Sequence, residues 1–170
     1  GADGQIFKTE DGGKSWKVES RGPDRAFDFY FFNDKPGWAV RNERPRNKGY
    51  IVKTDDGGDT WKVQKEFETI AFFRYSFTNS MTGWAVGYER GRDRYKGPLV
   101  LNYFILHTND GGKTWTTQFK APGKELRISD NLTDVFFVNP DTGWAVGANG
   151  IIVYTRDGGK HWRRQKSGTK

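Results

Sequence analysis

Apolar and polar residues alternate over short runs along this chain, as in Phe29-Tyr30-Phe31, Phe73-Arg74-Tyr75-Ser76-Phe77 and Val135-Phe136-Phe137. Alternation with a period of two marks strands that bury one face. Each run leads into a short turn containing Asn33, Asn79 or Asn139, which closes on Gly-Trp-Ala-Val at Gly37 to Val40, Gly83 to Val86 and Gly143 to Val146. A β-run such as Gly150 to Tyr154 then ends in a second motif, Thr-x-Asp-Gly-Gly-x-x-Trp, at Thr9 to Trp16, Thr54 to Trp61, Thr108 to Trp115 and Thr155 to Trp162. Its aspartates, Asp11, Asp56, Asp110 and Asp157, are 45, 54 and 47 residues apart, and all seven tryptophans belong to one motif or the other. One repeating unit is therefore four short strands.

The second motif is a stapled hairpin turn: the aspartate accepts turn N–H groups, and the paired glycines supply positive φ. The tryptophan that follows begins the next strand and lies across the turn. About 45 residues and four antiparallel strands make a propeller blade. The expected fold is all-β, a partial β-propeller in one domain over residues 1–170, with about three and a half four-stranded blades. The half blade takes residues 4–20 and the full blades 24–65, 68–119 and 131–166. Gly-Trp-Ala-Val-Gly, a β-run and Thr-x-Asp-Gly-Gly-x-x-Trp together resemble the BNR/Asp-box propellers, most closely the photosystem II stability and assembly factor branch. The resemblance covers nearly the whole chain. Asp-box propellers include sialidases, other glycosidases, sorting receptors and assembly factors, so it speaks for the fold more than for the function.

Gly1 to Phe7 aligns with Gly147 to Val153, which places the first residue in the middle of a blade. Closed propellers need about four to eight blades. The chain is therefore expected to be part of a longer protein, with an open edge covered by the remainder of that protein or by a neighbouring subunit.

Composition agrees with a folded domain: 34% of residues are hydrophobic and 16% aromatic. No apolar stretch approaches the roughly 18 residues of a membrane helix, and the opening residues do not resemble an export signal, with the true N-terminus expected upstream of them. Without cysteine there is no disulfide or thiolate metal site. The net charge of +7 favours an anionic or acidic partner.

Candidate chemistry is sparse. The box residues Asp11, Trp16, Asp56, Trp61, Asp110, Trp115, Asp157 and Trp162 recur once per unit, as structural residues do. The acidic cluster of Asp55, Asp56 and Asp59 is surface variation within one box. His107 and His161 occupy repeat positions filled elsewhere by Lys, Tyr, Ser or Thr, and neither pairs in sequence with a nucleophile or makes a metal site. No cofactor is expected. Arg127-Ile128-Ser129 approaches the Arg-Ile-Pro motif of sialidases but lacks the proline, so catalytic residues are not assigned.

The connections between second and third strands are more informative. The last blade has the tight Gly147-Ala148-Asn149-Gly150, whereas its predecessors carry basic insertions over 41–48 and 88–96. Arg41, Arg44, Arg46, Lys48, Arg90, Arg92, Arg94, Tyr95 and Lys96 are the candidate partner-binding residues. With the connections between blades these insertions hold 14 Lys and Arg against 8 Asp and Glu, while the turns at the opposite end sum to −4. Arginine forks suit carboxylates and phosphates. Pro98 to Leu101 after the second insertion is either an apolar anchor or the start of the strand through Tyr103 to His107.

The resemblance implies a non-catalytic scaffold or assembly factor that docks an acidic protein surface, or a membrane or photosynthetic complex, through this basic face. It also implies an exported, periplasmic or lumenal location. The alternative is a fragment of a carbohydrate-active propeller, a sialidase-like hydrolase or a lectin. Nucleic acid ranks third, since the loops lack a repeated aromatic stacking pattern.

Overall fold

The structure, a computed structural model, describes residues 5–21, 26–33, 35–43, 48–68, 70–91, 100–121 and 132–168. The chain forms four antiparallel meanders in sequence order. The first is two-stranded, β1 (Gln5–Lys8) with β2 (Lys17–Arg21). The second runs through β3 (Ala26–Phe31), β4 (Gly37–Glu43), β5 (Lys48–Thr54) and β6 (Lys62–Phe67). The third comprises β7 (Ile70–Phe77), β8 (Gly83–Gly91), β9 (Val100–Thr108) and β10 (Thr116–Ala121). The fourth comprises β11 (Leu132–Phe137), β12 (Gly143–Gly147), β13 (Ile152–Thr155) and β14 (Arg163–Gln165). The only helical segment among the described residues is a 3-10 turn at Ala148–Gly150.

The glycine that opens each β4-type strand has a steric cause. Gly37, Gly83 and Gly143 pair directly with Phe31, Phe77 and Phe137. A Cβ at Gly83 would come within 2.6 Å of the Phe77 ring, so the ring lies flat over the glycine. Each first strand also carries a register shift at one repeat position: between Ala26 and Asp28, Phe72 and Arg74, and Leu132 and Asp134. These bulges alter the pleat and the local twist.

Two cores lie between successive four-stranded sheets. Trp38, Val40 and Ile51 of the second sheet pack with Phe72, Tyr75, Phe77, Ala85, Phe104 and Leu106 of the third. Trp84, Val86 and Ile105 of the third pack in the same way with Leu132, Val135, Phe137, Ala145, Ile151 and Val153 of the fourth. Every four-stranded sheet thus has two faces with different duties. One presents the Trp, Val and Ile positions of its middle strands, and the other presents the first-strand aromatic and the residue two places before the box threonine.

The flanks of the two insertions, Arg41 to Glu43, Lys48 and Tyr88 to Gly91, are strand where loop was expected. β4 continues to Glu43 and β5 resumes at Lys48, while β8 reaches Gly91 and β9 resumes at Val100. Backbone pairing persists through Glu43 with Lys48 and through Gly91 with Val100, so the described flanks of the basic segments are paired strand. Val100 and Leu101 accordingly belong to a strand.

Candidate functional site

All four boxes share one hydrogen-bond scheme. In the second, Thr54 Oγ1 donates to Asp56 Oδ1 at 2.6 Å and accepts the Gly58 N–H at 2.9 Å. The Thr60 N–H donates to Asp56 Oδ1 at 2.9 Å, and the Thr60 hydroxyl donates to Oδ2. Ser15 and Thr114 act alike in the first and third boxes. His161 replaces the hydroxyl in the fourth, its Nδ1 lying 2.7 Å from Asp157 Oδ2. Both box glycines have positive φ, 79° and 105° at Gly57 and Gly58, which an L side chain rarely adopts.

These bonds hold the carboxylates in their charged form. The Ser15 hydroxyl, then its N–H, brings Asp11 down to about 2, and the Thr114 hydroxyl, then its N–H, does the same for Asp110. Asp56 is held lower still by the Thr54 and Thr60 hydroxyls, and Asp157 by the N–H and then the ring of His161. Carboxylates tied into their own turns at such low pKa are poor proton donors near neutrality.

The threonine hydroxyl is the centre of each turn, a role sequence reasoning missed although Thr stands in every box. It also missed a bond from one blade to the next. Trp38 Nε1 donates to the Gly111 carbonyl of the following box at 3.0 Å. Trp84 Nε1 is 3.3 Å from the Gly158 carbonyl and 3.0 Å from Gln118 Oε1, and Gln118 Nε2 donates to the same carbonyl at 2.8 Å. The partner ring is fixed too: Trp38 stacks on Phe77 at 4.5 Å and Trp84 on Phe137 at 3.4 Å. Within the second and third boxes the local tryptophan closes its turn, Trp61 donating to the Gly58 carbonyl and Trp115 to that of Gly112, whereas the Trp162 indole nitrogen of the fourth is buried without a partner.

Of the basic candidates, Arg41, Lys48 and Arg90 are described, and they lie toward the hairpin ends away from the boxes. Gly37 and Gly83 pair with the box threonines Thr54 and Thr108, so Glu43–Lys48 and Gly91–Val100 lie at the other end of adjacent sheets. Asn42 ties these sheets together there, its Nδ2 donating to the Phe72 carbonyl and its Oδ1 accepting the Phe72 N–H. Arg41 lies within β4, with its guanidinium 4.2 Å from the Tyr50 ring centroid. Its Nε is buried and without a partner, so this side chain does not reach freely into solvent as an outward-pointing loop arginine would. The Lys48 ammonium is held by Glu66 and Glu68, which raises its pKa and occupies its charge. Arg90 stands in β8, with its side chain outside the described portion. Arg44, Arg46, Arg92, Arg94, Tyr95 and Lys96 lie outside the described residues. The histidines are apart: His107 sits 4.9 Å from the Trp84 ring, with burial lowering its pKa, and His161 belongs to its box.

Sheets of this topology joined by these turns define a β-propeller of Asp-box, or BNR, repeats. The profile of the family described as photosynthesis system II assembly factor YCF48 matches residues 118–170. Among solved structures, the chain is similar to YCF48 bound to a D1 peptide, at 24% identity and a TM-score of 0.60 over 82% of this chain and 40% of that one. It is similar also to YCF48 from Cyanidioschyzon merolae, at 26% identity and a TM-score of 0.57 over 82% of this chain and 36% of that one. A glycoside hydrolase of family GH74 from Niastella koreensis shares the fold, at 15% identity and a TM-score of 0.61 over 93% of this chain and 26% of that one. No curated protein sequence matches the chain significantly. The chain is a BNR-repeat β-propeller similar to the photosystem II assembly factors, and it spans 40% or less of the length of these relatives. The fold also serves an enzyme, so the fold does not decide catalysis.

Proposed function

We propose that this chain is a non-catalytic assembly scaffold that docks a segment of a membrane-protein complex through the basic ends of its β4–β5 and β8–β9 hairpins. The reading is supported by the β4–β5 and β8–β9 strand pairs, which run to Glu43–Lys48 and Gly91–Val100 on adjacent sheets, at the end away from the box turns, together with the arginines that the sequence carries between those residues. The similarity to a YCF48 that holds a D1 peptide supports a peptide of a photosystem II subunit as the partner. Arginine forks grip carboxylates in pairs, which suits an acidic or carboxylate-ended peptide. Lys48 is already paired, so the arginines beyond β4 and within and beyond β8 carry the recognition, with Arg41 supporting the hairpin from beneath.

The test is the affinity of a D1 peptide for the wild type and for the triple variant Arg44→Glu, Arg46→Glu, Arg92→Glu, at two salt concentrations. Binding is expected to weaken in the variant and with salt, because screening acts over about 8–10 Å. Thermal stability should stay nearly unchanged, since exposed charges contribute about 1 kcal/mol or less each. Equal affinity of variant and wild type would reduce these arginines to solvated hairpin charges.

A further inference from the structure

The four boxes share one turn, so the residues that vary around it are not set by the turn itself. Three positions surround each aspartate: the residue before it, the residue four places after it, and the residue that follows the box tryptophan. They are Glu10, Ser15 and Lys17 in the first box, Asp55, Thr60 and Lys62 in the second, and Asn109, Thr114 and Thr116 in the third. In the fourth they are Arg156, His161 and Arg163. A hydroxyl at the middle position completes the other three turns, so the imidazole brings something the fold does not require. In the second and third sheets, each covered by a following sheet, all three positions are exposed. Arg156, His161 and Arg163 are exposed as well, and that accessibility does not depend on what lies beside the fourth sheet.

These three residues line a cleft of about 180 Å³ with Tyr154, Thr155 and Asp157. Asp157 Oδ1 accepts the Thr155 hydroxyl at 2.8 Å and the His161 N–H at 3.0 Å, and Oδ2 lies 2.7 Å from His161 Nδ1. A charged carboxylate only accepts, so Nδ1 carries the proton and Nε2 is left for another partner. The His161 side chain is 80% exposed, which opens Nε2 to a ligand. Arg163 is the strand partner of Tyr154, and the Arg156 guanidinium lies 5.8 Å from the centroid of the same ring, so both arginines stand beside it. Among the described residues neither arginine forms an ion pair with a carboxylate.

From this arrangement we infer that the fourth box binds a single phosphate group, free or carried as a monoester on a small molecule. Arg156 and Arg163 supply forked donors, and the imidazolium form of His161 donates from Nε2 while Asp157 fixes Nδ1. Three donors match the three outer oxygens of a phosphate monoester better than the two of a carboxylate. The site stands at the box end of its sheet, whereas the proposed docking of a peptide uses the hairpin ends away from the boxes, so either reading can fail alone.

An NMR titration of the protein with inorganic phosphate, and separately with glycerol 3-phosphate, at constant ionic strength tests the inference. The chain has two histidines, and His107, packed on the Trp84 ring, is the internal control. The His161 ring nitrogens should shift saturably while those of His107 stay in place. Three variants copy residues of the third box and should keep the wild-type circular dichroism spectrum: Arg156→Asn, His161→Thr and Arg163→Thr. Followed on the box amides, each should bind about tenfold or more weakly, the scale of one charge-assisted hydrogen bond. Arg164 pairs with Val153 and so faces the other side of β14; Arg164→Thr should bind as the wild type does. Tighter binding of glycerol 3-phosphate than of inorganic phosphate assigns the site to a phosphorylated small molecule, and equal or weaker binding assigns it to free phosphate. A His161 signal that does not shift or does not saturate, wild-type affinity in any of the three variants, or an equal loss in Arg164→Thr, the mark of diffuse attraction by charge, would each overturn the inference.

Discussion

At the scale of single residues, the box shows a carboxylate employed as a fixed acceptor. Asp11 and Asp110, held at about 2, sit below the ordinary aspartate value of about 3.9 because hydroxyl and amide donors converge on them. A depressed folded-state pKa contributes stability that is complete above the unfolded value. It is lost as pH falls through the folded value. The melting temperature should therefore hold from neutrality to about pH 4 and drop between about pH 4 and pH 2. Thermal melts of the wild type and Asp110→Asn check this: the variant should start lower at pH 6 and lose less on acidification, because its neutral amide has no proton to gain. Equal acid losses in the two proteins would mean that Asp110 is not part of the transition. The order of the donors matters as well, for Thr108 is fully buried and orients the aspartate while satisfying the Gly112 amide. A buried N–H left unpaired costs about 1–3 kcal/mol, which gives a physical reason for Thr at this place in every box.

At the scale of strands, the alternating runs, the Asn turns and the box gave the meanders directly, because each is a local device. Asn79 Oδ1 accepts the amides of Met81 and Thr82, and Asn139 those of Asp141 and Thr142, so the turns are legible from the asparagine alone. What sequence did not reveal depends on neighbours distant along the chain. Gly83 reads as part of a motif, yet its cause is the Phe77 ring across the strand pair, and Trp38 reads as a core residue, yet it bonds a carbonyl 73 residues away. The length of the basic hairpins was hidden for a similar reason, since charged residues at a strand end carry no apolar alternation to mark pairing. The stack makes a sharp expectation. The Phe77 ring is held between Gly83 and the Trp38 indole at 4.5 Å, so Gly83→Ala leaves it nowhere to move. Overpacking of this kind costs about 1–3 kcal/mol. For a chain of this size that is roughly 2–4 °C of melting temperature per kcal/mol. A Gly83→Ala protein that melts with the wild type would show that the ring is not clamped.

At the scale of the molecule, identical local turns stand in unequal surroundings. The first box makes the same bonds from Asp11 to Ser15 and from Gly13 to Thr9 as the others, yet Trp16 is 61% exposed and none of the described residues of its two-stranded sheet is buried. The third sheet lies between two neighbours, with Trp84, Ala85, Val86 and Ile105 all at 0% exposure. In repeat proteins stability is close to a sum of unit terms and nearest-neighbour interface terms. The interfaces here are the two inter-sheet cores, so the third sheet draws on both, the second and fourth on one each, and the two-stranded sheet on neither. Amide exchange reports such differences, since opening free energies run from near zero in exposed elements to the global value in the core. In dilute protein the amides of β1 and β2 should exchange first and those paired between β8 and β9 last. Uniform exchange across the four sheets in dilute protein would place the stability in the turns themselves rather than in the cores between blades.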